Sequence, residues 1–408
     1  MFPLALAQTT GSPARWTWGN DPMADYLIRD AFRLFYADFR SRHTVTPEQE
    51  SAAWCIMQCK TGLLGFTENV CPQCGYRKIH YASCGNRSCP SCQGTKPEEW
   101  VQARSSELIE GLPYFHVIMT VPHELNPLFL STPRELYRLL MQSTADAVKA
   151  VASRKEHLGC APGIVSVLHS WGQKLDLHPH VHMLVSGGGL ENPLKFVRVR
   201  NGHFFCPEGK LGGAFREAFL RGLKDLRASG RLVFEGSAAS YRNHYTWEEL
   251  LTKLYHTSWN AFVKETFNGN GNAIQYLSRY AYRTAVSNSR ILSVTAEGVT
   301  ISYKDYKDGG KTKPMLLSGE EFIRRFLLHI LPKGFNRIRY SGYLANACRK
   351  KNLKIIHKLT AAAERTNRLA GMKTRERIKA IFGIDICICP VCSGEMHMIR
   401  RMEPKRLC

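Results

Sequence analysis

The sequence predicts an α+β protein. Three observations carry this: short runs rich in β-branched and aromatic residues, longer stretches of helical periodicity around them, and turn chemistry at the junctions. The first run, Tyr114 to Val121, stops at Pro122, which has no N–H to give a ladder. Gly163 to Trp171 is the second. His180 to Ser186, the third, is apolar apart from its histidines and is expected to close at Gly187, Gly188 and Gly189, as a central strand would. Trp247 to Phe267 carries apolar residues at helical spacing and is predicted to form one helix ending at the turn-rich Asn268 to Gly271. Asn272 is suited to cap a second helix, from Ala273 to about Val286. Arg290 to Thr295 and Val299 to Tyr303, separated by Gly298, read as a hairpin.

A chain of 408 residues exceeds one ordinary core, and the length suggests roughly two to three domains. Composition separates residues 1–110, with seven of the 14 cysteines, from the strand-and-helix region 111–330 and from a basic end, 331–408. With 44% hydrophobic and 22% charged residues the chain is globular, and no apolar run approaches the ~20 residues that cross a bilayer. A membrane partner is therefore not expected. Met1 to Ala7 lacks a basic flank and is short for a signal peptide, so a cytoplasmic location is expected. The net charge of +22 favours a polyanionic partner, and residues 331–408, with 18 basic and 5 acidic side chains, hold +13 of it. A merely solvated basic face is the plainer reading of that end, which includes a basic, helix-like stretch from Lys350 to Lys379.

Without a secretory signal, the cysteines point to metal rather than disulfides. Cys71-Pro72-Gln73-Cys74 and Cys89-Pro90-Ser91-Cys92 are tight pairs with 14 residues between them, a spacing that can place four thiolates around one structural Zn²⁺. Redox-active or simply buried cysteine is the alternative. Cys59, Cys84 and His80 remain candidates for a second ion or for substitution into the first. Tyr76, Arg77, Lys78, His80, Tyr81 and Arg87 lie between the pairs, either as nucleic-acid contacts or as the wet surface of a zinc module. Near the other end, Cys389-Pro390-Val391-Cys392, with Cys387, His397 and Cys408 nearby, reads equally as a second zinc ribbon or as surface cysteine.

His178, His180 and His182 recur with period two, so a strand turns them to one face and Val181, Met183 and Val185 to the other. Hydrogen-bonded core histidine is the bland alternative. Two such imidazoles can hold a divalent ion and leave positions open for a phosphate oxygen, and Mg²⁺, Mn²⁺, Zn²⁺ and Ni²⁺ are all admissible. Gln173 is a candidate third ligand, in competition with His116, His123 and His169. Tyr276 and Tyr280 stand one turn apart on a helix, as do Arg279 and Arg283, which are candidate DNA-phosphate contacts. Tyrosines at this spacing are usually packing residues. A phenol of pKa about 10 becomes a nucleophile near neutrality only when a metal or a base assists it.

Three motifs in this order, residues 71–93, His178 to Gly189, and Tyr276 to Tyr280, resemble the two-tyrosine HUH transposases of the insertion sequence 91 family. The resemblance implies a HUH endonuclease-like antiparallel sheet with flanking helices, preceded by a small zinc-binding domain and followed by a basic C-terminal region. It implies that His180 and His182 bind a catalytic Mg²⁺ or Mn²⁺, while Tyr276 and Tyr280 are the nucleophiles. The implied reaction is single-strand nicking and strand transfer through 5′-phosphotyrosine, supporting rolling-circle transposition. The implied partners are single-stranded DNA, transposon ends and target DNA, and the implied location is the bacterial nucleoid. Bond energy is kept in the phosphotyrosine, so no nucleotide cofactor is expected. His178 is left outside the ligand set, and Tyr282, off the Tyr276/Tyr280 face, is expected to pack. A plasmid or phage replication initiator or relaxase is a second reading. A non-catalytic zinc-dependent DNA-binding protein is a third.

Overall fold

Two helices, α1 (Ile28–Arg42) and α2 (Pro47–Gln58), come first, and the start of α2 is set by a reciprocal cap. Thr46 Oγ1 accepts from Gln49 N–H (3.3 Å), Gln49 Oε1 accepts from Thr46 N–H (2.9 Å), and Pro47 occupies the first turn. The elements β1 (Phe66–Val70), β2 (Arg77–Tyr81), α3 (Lys96–Ser105), β3 (Tyr114–Thr120), α4 (Asn126–Ser131) and α5 (Pro133–Ala152) follow. After them come β4 (Ala161–Trp171), β5 (Leu177–Asn192), β6 (Lys195–Arg198), α6 (Glu208–Ala228), α7 (His244–His256), β7 (Asn260–Glu265) and α8 (Asn270–Ala281). The chain continues with β8 (Ile291–Thr295), β9 (Gly298–Asp305), β10 (Lys311–Leu317), α9 (Gly319–Leu327), β11 (Ile338–Ser341), α10 (Arg349–Thr360), α11 (Thr374–Phe382) and β12 (His397–Met402). This computed structural model describes residues 27–403 except 93, 200–202, 266–269 and 283, and leaves out the side chains of 265, 270–273, 276 and 279.

The architecture is α+β, as the sequence predicts, and its sheets are antiparallel, as the family resemblance implies. The central sheet runs β11-β4-β5-β3-β7, with β6 beside the far end of β5. Phe115, Val117, Met119, Ile164, Leu168, Val181, Met183 and Val185 belong to the core that packs one face against α5 and α6. The other face carries the histidines and is covered by α8, whose Ile274, Leu277 and Ala281 meet Val165, Val167 and Leu184. Alternation along β5 therefore divides apolar core from polar site within one strand.

The structure departs from the sequence-based expectation at four stretches. The helix expected to run to Phe267 ends at His256, and β7 pairs with β3 from Phe115↔Glu265 to Thr120↔Asn260. Sheet pairing wins because it satisfies the backbone at the open edge of β3 and seats Trp259 against Phe215 and Phe219 (ring centroids 4.9 and 5.3 Å apart). Its indole N–H donates to Leu254 O (2.9 Å). Nor do the glycines end β5. At Gly188 a Cβ would stand 2.7 Å from Val197 O, and at Gly189 one would stand 2.9 Å from Cys160 Sγ, so their bareness admits the neighbouring strands while β5 continues to Asn192. The predicted hairpin is present as β8 and β9, with β10 added. The helix predicted from Ala273 to about Val286 runs instead from Asn270 to Ala281, and the basic stretch after residue 350 is two helices rather than one.

Packing joins segments distant in sequence. Phe32 of α1 meets Phe326 of α9 edge-on (5.1 Å), in a core that also takes in Ile56, Cys59, Cys89, Leu175 and the β8–β9 hairpin. Beside this core the buried His329 donates from Nε2–H to Leu175 O (3.2 Å), while its Nδ1 accepts from Ser170 Oγ (3.2 Å). Burial pushes His329 down to about 4 from an ordinary 6.5. Folding then favours the neutral ring: its contribution is complete above pH about 6.5 and is lost as pH falls toward about 4, because the unfolded chain takes up the proton first. The expected loss is about 3 kcal/mol. Urea unfolding of the wild type and His329→Leu across that window checks it: the variant should show a shallower decline with falling pH, and parallel curves would rule it out. Among the described residues, no helix is long and apolar enough to cross a membrane.

Candidate active site

The register of the central sheet assembles the histidines. His180 lies opposite His169 of β4 and Thr120 of β3, while His116 of β3 lies opposite Leu184, so the pleat turns His116, His169, His180 and His182 to one face. One ring nitrogen from each of His169, His180 and His182 lies within 4.8 Å of the others, and His180 Nε2 is 3.1 Å from His182 Nε2. All three rings are buried.

Outer hydrogen bonds orient this group. His180 Nδ1–H donates to His178 O (2.7 Å), leaving its Nε2 with the lone pair. His182 Nδ1 faces His116 Nε2 at 3.0 Å, and a proton on the former leaves the lone pair of His182 on Nε2, on the side of His180 Nε2. His169 Nε2–H donates to the main-chain oxygen of Tyr280 (2.8 Å), so its lone pair sits on Nδ1. Burial pushes His180 down to about 4 and does the same to His116, where Lys264 adds to it. Rings held neutral at physiological pH are competent ligands. Three convergent imidazoles with tethered far nitrogens fit a divalent transition metal.

Gln173 is hydrogen-bonded elsewhere. Its Oε1 accepts from Lys304 N–H (3.4 Å) and its main-chain oxygen from Arg290, which ties it to the β8–β9 hairpin, and His169 stands across from His180 instead. His123 is exposed beside Glu124.

Helix α8 lays Tyr280 on the site. Its ring stacks on His182 with centroids 3.9 Å apart and planes 22° apart, and lies 5.6 Å from His116 at 19°. One residue thus reaches His182 through its ring and His169 through its backbone. Tyr276 stands one turn earlier on α8; its side chain, that of Arg279 and all of Arg283 lie outside the described residues. Tyr282 packs edge-on against Trp100 (6.3 Å), and burial raises its pKa.

The cysteines form two groups, which corrects the expected sharing of one ion by the two N-terminal pairs. Cys89 and Cys92 join Cys59 and Cys84, whereas Cys71 and Cys74 join Cys389 and Cys392, each set with its sulfurs within 4.8 Å. Cys59 and Cys92 are 3.1 Å apart, Cys84 and Cys92 3.3 Å, Cys71 and Cys392 3.4 Å, and Cys74 and Cys389 3.6 Å. The reason is the β1–β2 hairpin: Cys71 and Cys74 sit at its tip, Cys59 and Cys84 at its base, and five residues of strand span roughly 17 Å. Strand β12 pairs with β1 from Phe66↔Met402 to Val70↔His397 and brings in the distant pair.

Both knuckles of this second group repeat one backbone pattern. Gly75 N–H donates to Cys71 O (2.9 Å) and Cys71 N–H to Tyr76 O (2.8 Å), just as Ser393 N–H donates to Cys389 O (3.0 Å) and Cys389 N–H to Gly394 O (2.7 Å). Gly75 and Ser393 both take left-handed φ, +72° and +60°. Four thiols closing on one point suit structural Zn²⁺. Neither His80, Cys387 nor His397 joins a group, and Cys408 lies outside the described residues. The signal was in the count: three Cys-Pro-x-Cys pairs supply six sulfurs, and Cys59 with Cys84 complete eight, enough for two tetrahedral sites.

Residues 163–352 match the family described as "Putative transposase", and residues 31–121 match a "Transposase zinc-binding domain". The first span contains His169, His180, His182 and both tyrosines; the second contains six of the grouped cysteines but not Cys389 or Cys392. A "Putative transposase y4qJ" of Sinorhizobium fredii is 34% identical over 377 residues, 91% of this chain and 94% of that protein. The transposase for insertion sequence element IS801 of Pseudomonas savastanoi pv. phaseolicola is 28% identical over 350 residues, 84% of this chain and 81% of that protein. No solved structure matches the chain.

Proposed function

The chain belongs to the insertion sequence 91 family of transposases, and on that footing we propose that it nicks and rejoins single-stranded DNA through 5′-phosphotyrosine linkages. The observation that carries the reading is the stacking of Tyr280 on His182, inside a group of three convergent histidines. In the proposed step the Tyr280 oxygen attacks phosphorus and the bond to the 3′ oxygen breaks. The phenol gives up its proton, and the departing 3′ oxygen takes one up. A divalent ion bound by His169, His180 and His182 would polarise the scissile phosphodiester. His116 holds His182 in its ligand orientation, and burial keeps His180 neutral.

Tyr276, on the same helix, serves the second cut or the strand transfer, and Arg279 and Arg283 contact phosphates. The same chemistry, used twice, moves an element by a rolling-circle route between its own ends and target DNA. Each group of four thiols holds one structural Zn²⁺. Three nitrogen ligands suit Mn²⁺ better than the oxygen-seeking Mg²⁺, so Mn²⁺ is the expected stronger activator.

The test is a labelled oligonucleotide carrying a candidate element terminus, incubated with the protein and Mn²⁺ or Mg²⁺. A denaturation-resistant protein–DNA adduct is expected, and the Tyr276→Phe/Tyr280→Phe double variant should lack it. An adduct that survives in the double variant rules out these tyrosines, and none with any metal or terminus favours binding without catalysis.

A further inference from the structure

Beyond the histidine site, a cleft of about 250 Å³ opens where the first cysteine group, helix α8 and strand β11 meet. Arg87, Lys96 and Arg337 line it together with Tyr282, Asn86 and Asn336, and no carboxylate is among the lining residues. The three cations come from three separate places. Arg87 sits in the loop between Cys84 and Cys89, Lys96 opens α3, and Arg337 directly precedes β11. The fold therefore brings three basic side chains from separate segments to one cleft.

The backbone holds the arrangement rigid. Arg87 Nη1 donates to Phe335 O (2.5 Å), which draws the cysteine loop onto the segment before β11. Arg337 O accepts from Leu168 N–H (2.8 Å), beside His169. Burial and the neighbouring Arg87 pull Arg337 down to about 10, so it is still a cation at neutral pH. Ala281 and Tyr282, which also line the cleft, directly follow Tyr280 in the chain.

We propose that this cleft is a phosphate-binding subsite for single-stranded DNA, holding a backbone phosphate that flanks the one presented to Tyr280. Two guanidinium forks and an ammonium match a phosphodiester in charge and in hydrogen-bond geometry. The Tyr282 ring and the asparagine amides complete a lining suited to a nucleotide rather than to a bare ion. Because Arg87 is carried between Cys84 and Cys89, the first cysteine group gains a role in positioning substrate as well as in folding. The inference rests on the nicking reading for its account of which strand enters, but binding can be measured without cleavage.

The experiment uses full-length protein, no added divalent ion and a fluorescein-labelled oligodeoxythymidine single strand, with anisotropy followed across salt concentrations. Arg337→Gln, Arg87→Gln and Lys96→Gln are each expected to weaken binding about five- to tenfold and to lower the salt slope by about 0.7, one phosphate contact's share on a single strand. Arg337→Lys should keep the slope. Thermal unfolding and zinc content establish that each variant is folded, and Lys96→Gln, at a helix start, gives a second reading should an arginine variant fail to fold. Unchanged affinity and slope in folded variants, or equal behaviour of Arg337→Gln and Arg337→Lys, would overturn the subsite. An adduct forming in the wild type while these variants bind normally overturns the subsite alone. Cleft-dependent binding with no adduct supports the subsite and counts against nicking.

Discussion

Replacing His180 by alanine is expected to slow adduct formation by about a thousandfold or more, with fold and zinc content unchanged, since a lost ligand removes several kcal/mol of transition-state stabilisation. The size of the effect follows from position. His180 Nε2 lies 3.1 Å from His182 Nε2, and its far nitrogen is committed to His178 O, which fixes the ring toward the group of three. The side chain lies on the α8-facing side of the sheet, away from the core formed by Val181, Met183 and Val185, so truncation spares that core.

His116→Ala should behave differently. It removes the partner of His182 Nδ1 and a ring that lies beside Tyr280, and leaves the three grouped histidines in place, a loss of about 10- to 100-fold that shows as a raised Mn²⁺ requirement. Gln173→Ala, tied to Lys304 instead, should have little effect. The measurement is the initial rate of adduct formation against Mn²⁺ concentration for the wild type, His169→Ala, His180→Ala, His116→Ala and Gln173→Ala. A Gln173→Ala variant as damaged as His169→Ala would sink the assignment, as would near-wild-type rates in His180→Ala.

Cys389→Ser combined with Cys392→Ser is expected to lower the zinc content from two ions per chain to one and to release β12 from β1. Structural Zn²⁺ contributes roughly 10–16 kcal/mol of apparent binding energy in small cysteine sites, and little else holds this ribbon together. Cys71, Cys389 and Met396 form its buried cluster with Tyr76 packed alongside, and five of the six residues of β12 are exposed. Limited proteolysis should therefore cut behind α11 in the variant while the main melting transition barely moves.

Cys89→Ser is the contrasting case. Cys59 and Cys89 belong to the core around Phe32 and Phe326, so loss of that ion should lower the main transition itself. Elemental analysis with calorimetry reads both outcomes. Two ions retained in the Cys389→Ser/Cys392→Ser variant would refute the second site.

By itself the amino-acid sequence determined what local chemistry can determine. Period-two alternation settled which face of β5 bears His180 and His182 and which bears Val181 and Met183, and helical spacing placed Tyr276 and Tyr280 on one helix. The Cys-x-x-Cys spacing marked three thiol pairs, and turn residues marked the β8–β9 hairpin. Tertiary structure decided everything that depends on register or on pairing across long separations. His169 is the third ligand candidate because β4 and β5 align it with His180, an alignment no spacing along one strand encodes. Cys71 and Cys74 close on Cys389 and Cys392 because β12 adds to β1 from the far end of the chain. Residues 260–265 form a strand despite their helical pattern because the edge of β3 was open to them. Periodicity is a property of neighbours in sequence, whereas register and closure are settled by which distant surfaces can be buried together.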